Sequence, residues 1–243
     1  MKLLIVRHGD PDYEHNCLTE QGKAEAQLLA ERLSKIDVKA FYVSPMGRAQ
    51  ETAFYTLRKM NRTAETLPWL REFDGVKILN PSEPEAPSRC WDRLPGEWMA
   101  HPEFFDKDKW KDGPAVCGTP LAEYYQSIVR SLDELIASHG YRRDGFLYRA
   151  ESPSNDVIVL ICHFGLESVL LSHLLNVSPM ILWHGTCAAP TSVTTLATEE
   201  REQGIASFRM LSYGDTSHLY AAGVEPAFSG RFRECFTNDW ERA

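Results

Sequence analysis

Two continuous apolar runs constrain the fold more than any other feature: Leu3–Val6 in "LLIVRHG", and "DVIVLIC" at residues 156–162. Apolar without alternation, each reads as a strand covered on both faces. An amphipathic stretch follows each one. Residues 19–36 place Leu29, Leu33 and Ile36 on one helical face, with Thr19 as N-cap. Residues 164–175, "FGLESVLLSHLL", make the helix after the second run. Strands covered on both sides need helices on both sides. The chain is therefore expected to be α/β and three-layered, with a central, mainly parallel sheet flanked by helices. "KAFYVSP" (39–45) predicts a further strand, with Ser44-Pro45 as cap and first-turn proline of the helix "MGRAQETAFYTL". Residues 63–68 predict another strand. "TSVTTLAT" and "IASFRML" (205–211) alternate at period two and predict a closing hairpin at one edge of the sheet.

Between Asp74 and Pro120 this periodicity fails, and prolines, aromatics and charges accumulate. A long irregular stretch inside a compact unit is usually functional or disordered, and Trp91, Trp98, Phe104, Phe105 and Trp110 speak against disorder because they can bury surface. The expected organisation is one domain over residues 1–243 with an irregular cap insertion at 75–118. Leu121, Tyr125, Ile128, Leu132, Leu135 and Ile136 then mark a return to amphipathic helix. A net charge of −8 is not that of a nucleic-acid binder. The six cysteines are scattered without a C-x-x-C pair, which fits neither a zinc site nor a disulfide framework. With no signal-peptide core and no stretch long enough to span a bilayer, the expectation is a cytoplasmic protein with no membrane and no nucleic-acid partner. Nothing in the sequence sets an oligomeric state.

His8 and His163 share one structural address. Each stands at the end of an apolar strand and close to glycine, in "LLIVRHG" and "VLICHFG". In an open α/β sheet ligands bind outside the carboxyl ends of the strands, so both imidazoles are expected to face one substrate. Arg7 abuts the first strand, where a buried cation needs an anion. Arg48 lies in the first turn of a helix, where a cation opposes the helix dipole but suits an anion site. Glu72, in "PWLREFDG", follows the third strand. Two arginines, two histidines and a carboxyl group fit phosphoryl transfer through histidine, with no metal and no cofactor: an imidazole attacks phosphorus, cations hold the oxygens and a carboxylic acid protonates the leaving alcohol. Asp10 is a second candidate acid, or a turn-former together with Pro11.

The segments "LIVRHGDPD", "LTEQGKAEAQLLAERL", "FYVSPMGRAQETA", "WLREFDG" and "VLICHFGLESVLLSHLL" resemble, in this order, the motifs of the histidine phosphatase superfamily, in its phosphoglycerate mutase-like branch. The resemblance implies that His8 is the phosphorylated nucleophile, that Arg7, Arg48 and His163 complete a phosphate pocket, and that Glu72 donates the proton. It also implies a sheet between helices with a variable cap. "YGDTSHL" (213–219) is similar to a late family segment, in which His218 is given a structural role.

Departures from the family pattern narrow the function. The loop after His8 reaches Leu18 within about ten residues, where mutases have a longer loop with an asparagine nearer the histidine; Asn16 replaces that contact in part. The mutases' glycine-tryptophan-glutamate-glycine pattern and their arginine-rich, proline-rich insert are missing. The expected activity is hydrolysis of a small-molecule phosphomonoester, the alternatives being mutase-type phosphoryl transfer and a catalytically silent phospho-ligand binding module. Substrate choice would then fall to the cap. Arg89, Trp91, Arg93 and Trp98 are its candidate readers, with simple packing of the tryptophans as the competing account.

Overall fold

The structure is a computed structural model that describes residues 1–76, 78–80, 83–114 and 116–237. Its centre is an eight-stranded mixed sheet built from β1 (Lys2–Arg7), β2 (Ala40–Val43), β3 (Glu65–Thr66), β4 (Tyr141–Asp144), β5 (Leu147–Ala150), β6 (Val157–Cys162), β7 (Val193–Glu202) and β8 (Ile205–Asp215). The spatial order is β3-β2-β6-β1-β7-β8-β5-β4. The first four strands in that order run parallel to their neighbours, and the rest are antiparallel.

The two apolar runs became the central strands β1 and β6, and their period-two side chains fill two different cores. Leu4, Val6, Phe41, Val43, Val159 and Ile161 point to one face. There they meet Leu29 and Leu33 of α1 (Glu20–Leu33) and Ala49 and Ala53 of α2 (Gly47–Met60). Leu3, Ile5, Tyr42, Ile158 and Leu160 point to the other. They pack on α3 (Leu121–Ser138), α4 (Phe164–Leu175) and α5 (Pro179–Gly185). Thr19 caps α1 as expected, its side chain accepting the Gly22 N–H.

Three expectations need correction. The hairpin β7-β8 forms, but it does not close the sheet: β8 pairs with β5 through Ile205–Arg149 and Ala206–Tyr148, and β4 becomes the edge. The arginine-rich β4 and β5, in which only Tyr141 and Tyr148 are buried, carry little of the apolar signal that identified the other strands. Nor does Ser44-Pro45 start α2; its N-cap is Met46 and its first residue Gly47. Ser44 is drawn off by another partner, described below. The predicted strand at 63–68 survives only as Glu65–Thr66, paired with β2.

Within 75–118 the described residues form short pieces: the ladder Ile78–Asn80 with Glu83–Ser88, a helical turn Pro95–Trp98, and 3₁₀ turns Pro102–Phe105 and Trp110–Asp112. Ile78, Cys90, Trp98, Phe104, Trp110 and Val116 are buried in the same core as α3 and α4. No helix among the described residues is long and apolar enough to cross a membrane.

Candidate active site

Strand register brings the site together. β1 and β6 run in step from Lys2–Val157 to Arg7–Cys162, and β6 and β2 from Ile158–Ala40 to Ile161–Val43. His8 and His163, the next residues of β1 and β6, therefore emerge side by side at the carboxyl edge, and Ser44, which follows β2 in step with Cys162, lies one residue back. The hydrogen bonds His8 N–H to Cys162 O (3.0 Å) and Ser44 N–H to Ile161 O (3.0 Å) continue the ladder to that point. The His8 and His163 rings lie 5.1 Å apart between centroids.

His8 is 1% exposed. Its Nδ1 lies 2.7 Å from the Gly9 carbonyl oxygen, an acceptor only, so Nδ1 carries the hydrogen and donates it. That leaves the lone pair on Nε2, which accepts the Nε–H of Arg48 at 3.2 Å. Burial first, then the charges of Arg7 and Arg48, hold the His8 pKa well below its ordinary value, against the opposing Gly9 contact. His163 is fully buried, with Nε2 2.7 Å from Ser44 Oγ and Nδ1 without a partner. Burial, followed by His8, Arg48 and Arg7, lowers its pKa strongly too. Both shifts favour the neutral form of the two imidazoles.

Arg7 and Arg48 are buried and neither is ion-paired with a carboxylate among the described residues. Arg48 donates from Nη1 to Asn16 Oδ1 (3.0 Å), and its guanidinium lies 5.3 Å from the centre of the Tyr13 ring. Asn16, in the left-handed conformation (φ 52°), therefore reaches the site through Arg48. Arg7 donates from Nη1 to Ala188 O and to Ser229 O, while its Nε is buried without a partner. Two desolvated cations beside two imidazoles that donate and accept hydrogen bonds suit the binding of an anion.

Glu72 is half-buried at the same edge. Its Oε1 accepts the Phe73 N–H (2.7 Å) and the Leu166 N–H at the start of α4 (3.0 Å). Burial raises its pKa, although both N–H groups and the charges of Arg48 and Arg7 work the other way. A carboxyl group shifted upward and a histidine shifted downward are suited to an acid and a nucleophile working at one pH. Asp10 is differently employed: Oδ2 accepts from Thr19 Oγ1 (2.7 Å) and Oδ1 from Ser229 Oγ. Both its oxygens bind loops together.

The four candidate readers separate. Trp91 lies against the first turn of α4, edge-on to Phe164 at 6.0 Å. A Cβ on Gly165 would stand 2.0 Å from the Trp91 ring and 2.8 Å from Glu72 Oε1, so the absence of a side chain at Gly165 lets both approach. Arg89 is exposed, 6.0 Å from the Trp91 ring centre. Trp98 is buried and stacks on His184 at 5.1 Å; Arg93 is buried near the Phe104 ring at 5.7 Å. Trp98 belongs to the hydrophobic core, whereas Nε and Nη1 of Arg93 are buried without a hydrogen-bond partner among the described residues. His218, buried with Nε2 3.1 Å from Thr191 Oγ1, supports the loop whose Thr191 N–H bonds the His8 carbonyl.

Sequence reasoning assigned Ser44 to a helix cap and passed over Ser229 entirely. The signal for Ser44 was its position one residue beyond a strand parallel to those of His8 and His163. Ser229 carried no local signal, since its partners Arg7 and Asp10 lie more than 200 residues away.

A family model described as "Histidine phosphatase superfamily (branch 1)" matches residues 3–210. A 2,3-bisphosphoglycerate-dependent phosphoglycerate mutase of Thermoplasma acidophilum is 34% identical over 73 residues, covering 26% of this chain and 36% of that protein. A probable phosphatase of Schizosaccharomyces pombe is 20% identical over 245 residues, covering 90% and 95% of the two chains. Among solved structures, a histidine-to-alanine mutant of an Entamoeba histolytica phosphoserine phosphatase with phosphoserine matches with a TM-score of 0.60 at 17% identity, covering 90% of this chain and 98% of the other. A mycobacterial glucosyl-3-phosphoglycerate phosphatase complexed with VO3 matches with a TM-score of 0.56 at 20% identity, covering 87% and 98%. At such identities the likeness to these structures is one of fold.

Proposed function

Because the chain belongs to the histidine phosphatase superfamily (branch 1), we propose that it hydrolyses a small-molecule phosphomonoester through a phosphohistidine on His8. The observation that carries this reading is the fixed tautomer of His8. Gly9 holds the proton on Nδ1, and Nε2 offers its lone pair inside a buried, cationic site.

In the first step Nε2 attacks phosphorus, the N–P bond forms and the P–O bond to the leaving alcohol breaks. Glu72, protonated, gives that oxygen its proton. Arg48 shifts from Nε2 to a phosphoryl oxygen, and Arg7 supplies its free Nε–H. With Ser44 donating to Nε2 of His163, the neutral His163 ring carries its hydrogen on Nδ1 and donates it to another oxygen. These donors stand ready where charge accumulates in the transition state. In the second step water attacks phosphorus, a new P–O bond forms as the Nε2–P bond breaks, the water's proton passes to the Glu72 carboxylate, and inorganic phosphate leaves with His8 restored.

Residues 75–118 serve as the cap in this reading. Trp91 and Arg89 contact the alcohol part of the substrate, a role supported by the packing of Trp91 beside Glu72 and Phe164. The test is chemical. A labelled phosphoenzyme stable in base and labile in acid is expected from wild type and not from His8→Ala; a base-labile label surviving in His8→Ala overturns the assignment. Turnover without a bisphosphorylated primer separates hydrolysis from the mutase reaction.

A further inference from the structure

We propose that the C-terminal segment Ala227–Gly230 aims the guanidinium of Arg7, with Ser229 as a positioning residue; this rests on the reading of Arg7 as a phosphate ligand. The segment lies beyond residues 3–210, which the family model matches. It has no helix or strand of its own, so it can act on Arg7 only if it is pinned.

It is pinned at two places, one on the buried Glu25 of α1 and one on Asp10 of the loop that follows the nucleophile. Glu25 of α1 is fully buried; its Oε2 accepts the Asp10 N–H at 3.0 Å and its Oε1 accepts the Ala227 N–H at 3.0 Å. Two residues on, Ser229 Oγ donates to Asp10 Oδ1. Thr19 Oγ1 holds the other Asp10 oxygen at 2.7 Å. Glu25, Ala227, Ser229 and Asp10 thus form a closed ring of hydrogen bonds that ties the tail to the nucleophile loop.

The fixed tail then meets Arg7. The Ser229 carbonyl accepts from Nη1 at 3.0 Å, beside the Ala188 carbonyl on the same nitrogen. Gly230, at φ +83°, lies so close that a Cβ would stand 2.9 Å from both Nη1 and Nη2. A guanidinium presents its donors in a rigid fork. With Nη1 committed to two carbonyls, the edge left for an oxyanion is the one formed by Nε and Nη2, and Nε is the atom found buried without a partner. The tail therefore selects which edge of Arg7 faces the phosphate. A small rotation of that fork is costly, since misplacement by about 1 Å loses on the order of 100-fold in rate.

The experiment is a double-mutant cycle on the full chain, using Ser229→Ala, Arg7→Ala and the pair. The readouts are inhibition by inorganic phosphate, kcat/KM for p-nitrophenyl phosphate, and Tm. Ser229→Ala removes the pin to Asp10, and phosphate affinity is expected to fall roughly 10-fold. Ser229→Thr, which keeps the hydroxyl, restores most of it. In the Arg7→Ala background Ser229→Ala adds no further loss beyond about twofold, because the group it positions is gone. Equal losses in both backgrounds, or losses that follow Tm alone, overturn the proposal, as does unchanged phosphate affinity in Ser229→Ala. Failure of the underlying reading shows separately, as Arg7→Ala binding phosphate as well as wild type does, and the proposal falls with it.

Discussion

Glu167→Gln tests the electrostatic reasoning most sharply. Glu167 sits in the first turn of α4, one turn after His163, and is 1% exposed. Burial pushes its pKa from 4.5 up to about 7, against the nearby Thr194 and Arg7. A carboxyl raised on folding binds its proton more tightly in the native state. The native protein therefore loses stability as pH rises from about 4.5 through about 7. At about 1.4 kcal/mol per unit, the ionised carboxylate costs about 3 kcal/mol above that window. Glutamine has nearly the same shape and no charge to bury. The substitution should therefore gain about 3 kcal/mol over wild type at pH 8 and under about 1 kcal/mol at pH 5. For a chain of this size that corresponds to roughly 6 to 12 °C in Tm at pH 8. The assay is a series of thermal melts of both proteins between pH 5 and 8.5, read as the difference in Tm against pH. The pH dependence of the difference is the diagnostic, because a packing change from the amide shifts all points alike. Parallel curves would refute the assignment of a buried, raised carboxyl at Glu167.

Other expectations concern catalysis and the packing of the cap. Glu72→Gln should slow alkyl phosphates on the order of 100-fold or more and aryl phosphates far less, because only poor leaving groups need the proton; Asp10→Asn is the control, and equal losses for both substrates remove Glu72 from the acid role. The profile of kcat/KM against pH should be bell-shaped with a mildly acidic to neutral maximum. Its acid limb is set by a lowered His8 that must be neutral, and its alkaline limb by a raised Glu72 that must be protonated. Glu72→Gln should lose the alkaline limb, and an optimum above about pH 9 would contradict both roles. Trp98→Ala should cost about 3 to 5 kcal/mol in denaturant melts, as a buried ring stacked on His184. Trp91→Ala should instead lower kcat/KM for a preferred metabolite more than for an aryl phosphate, and the reverse pattern would exchange their roles.

Much of this protein was legible in order along the chain. The apolar runs at Leu3–Val6 and 156–162 specified the two central strands, because a strand covered on both faces leaves no other pattern. The turn from apolar strand to Arg7-His8-Gly9, and again to His163, marked the carboxyl edge before any partner was visible. Family membership followed from motifs that are themselves short and local. What the sequence left undecided are relations between distant residues. Ser44 read as a helix cap because Ser-Pro before a helix is a local signal; that its hydroxyl lies beside His163 depends on β2 and β6 sharing a register. The tryptophans of the irregular segment had one composition and two fates. Trp91 came to lie beside Glu72 and Trp98 beside His184, because side-chain periodicity reports burial but not the partner. Strands β4 and β5, too polar and exposed to be read as part of the sheet, were decided by pairing with β8. Ser229 meets Arg7 and Asp10 only when the chain has closed on itself, for a local pattern records how a residue is solvated, whereas its partner is chosen by packing among segments brought together from across the sequence.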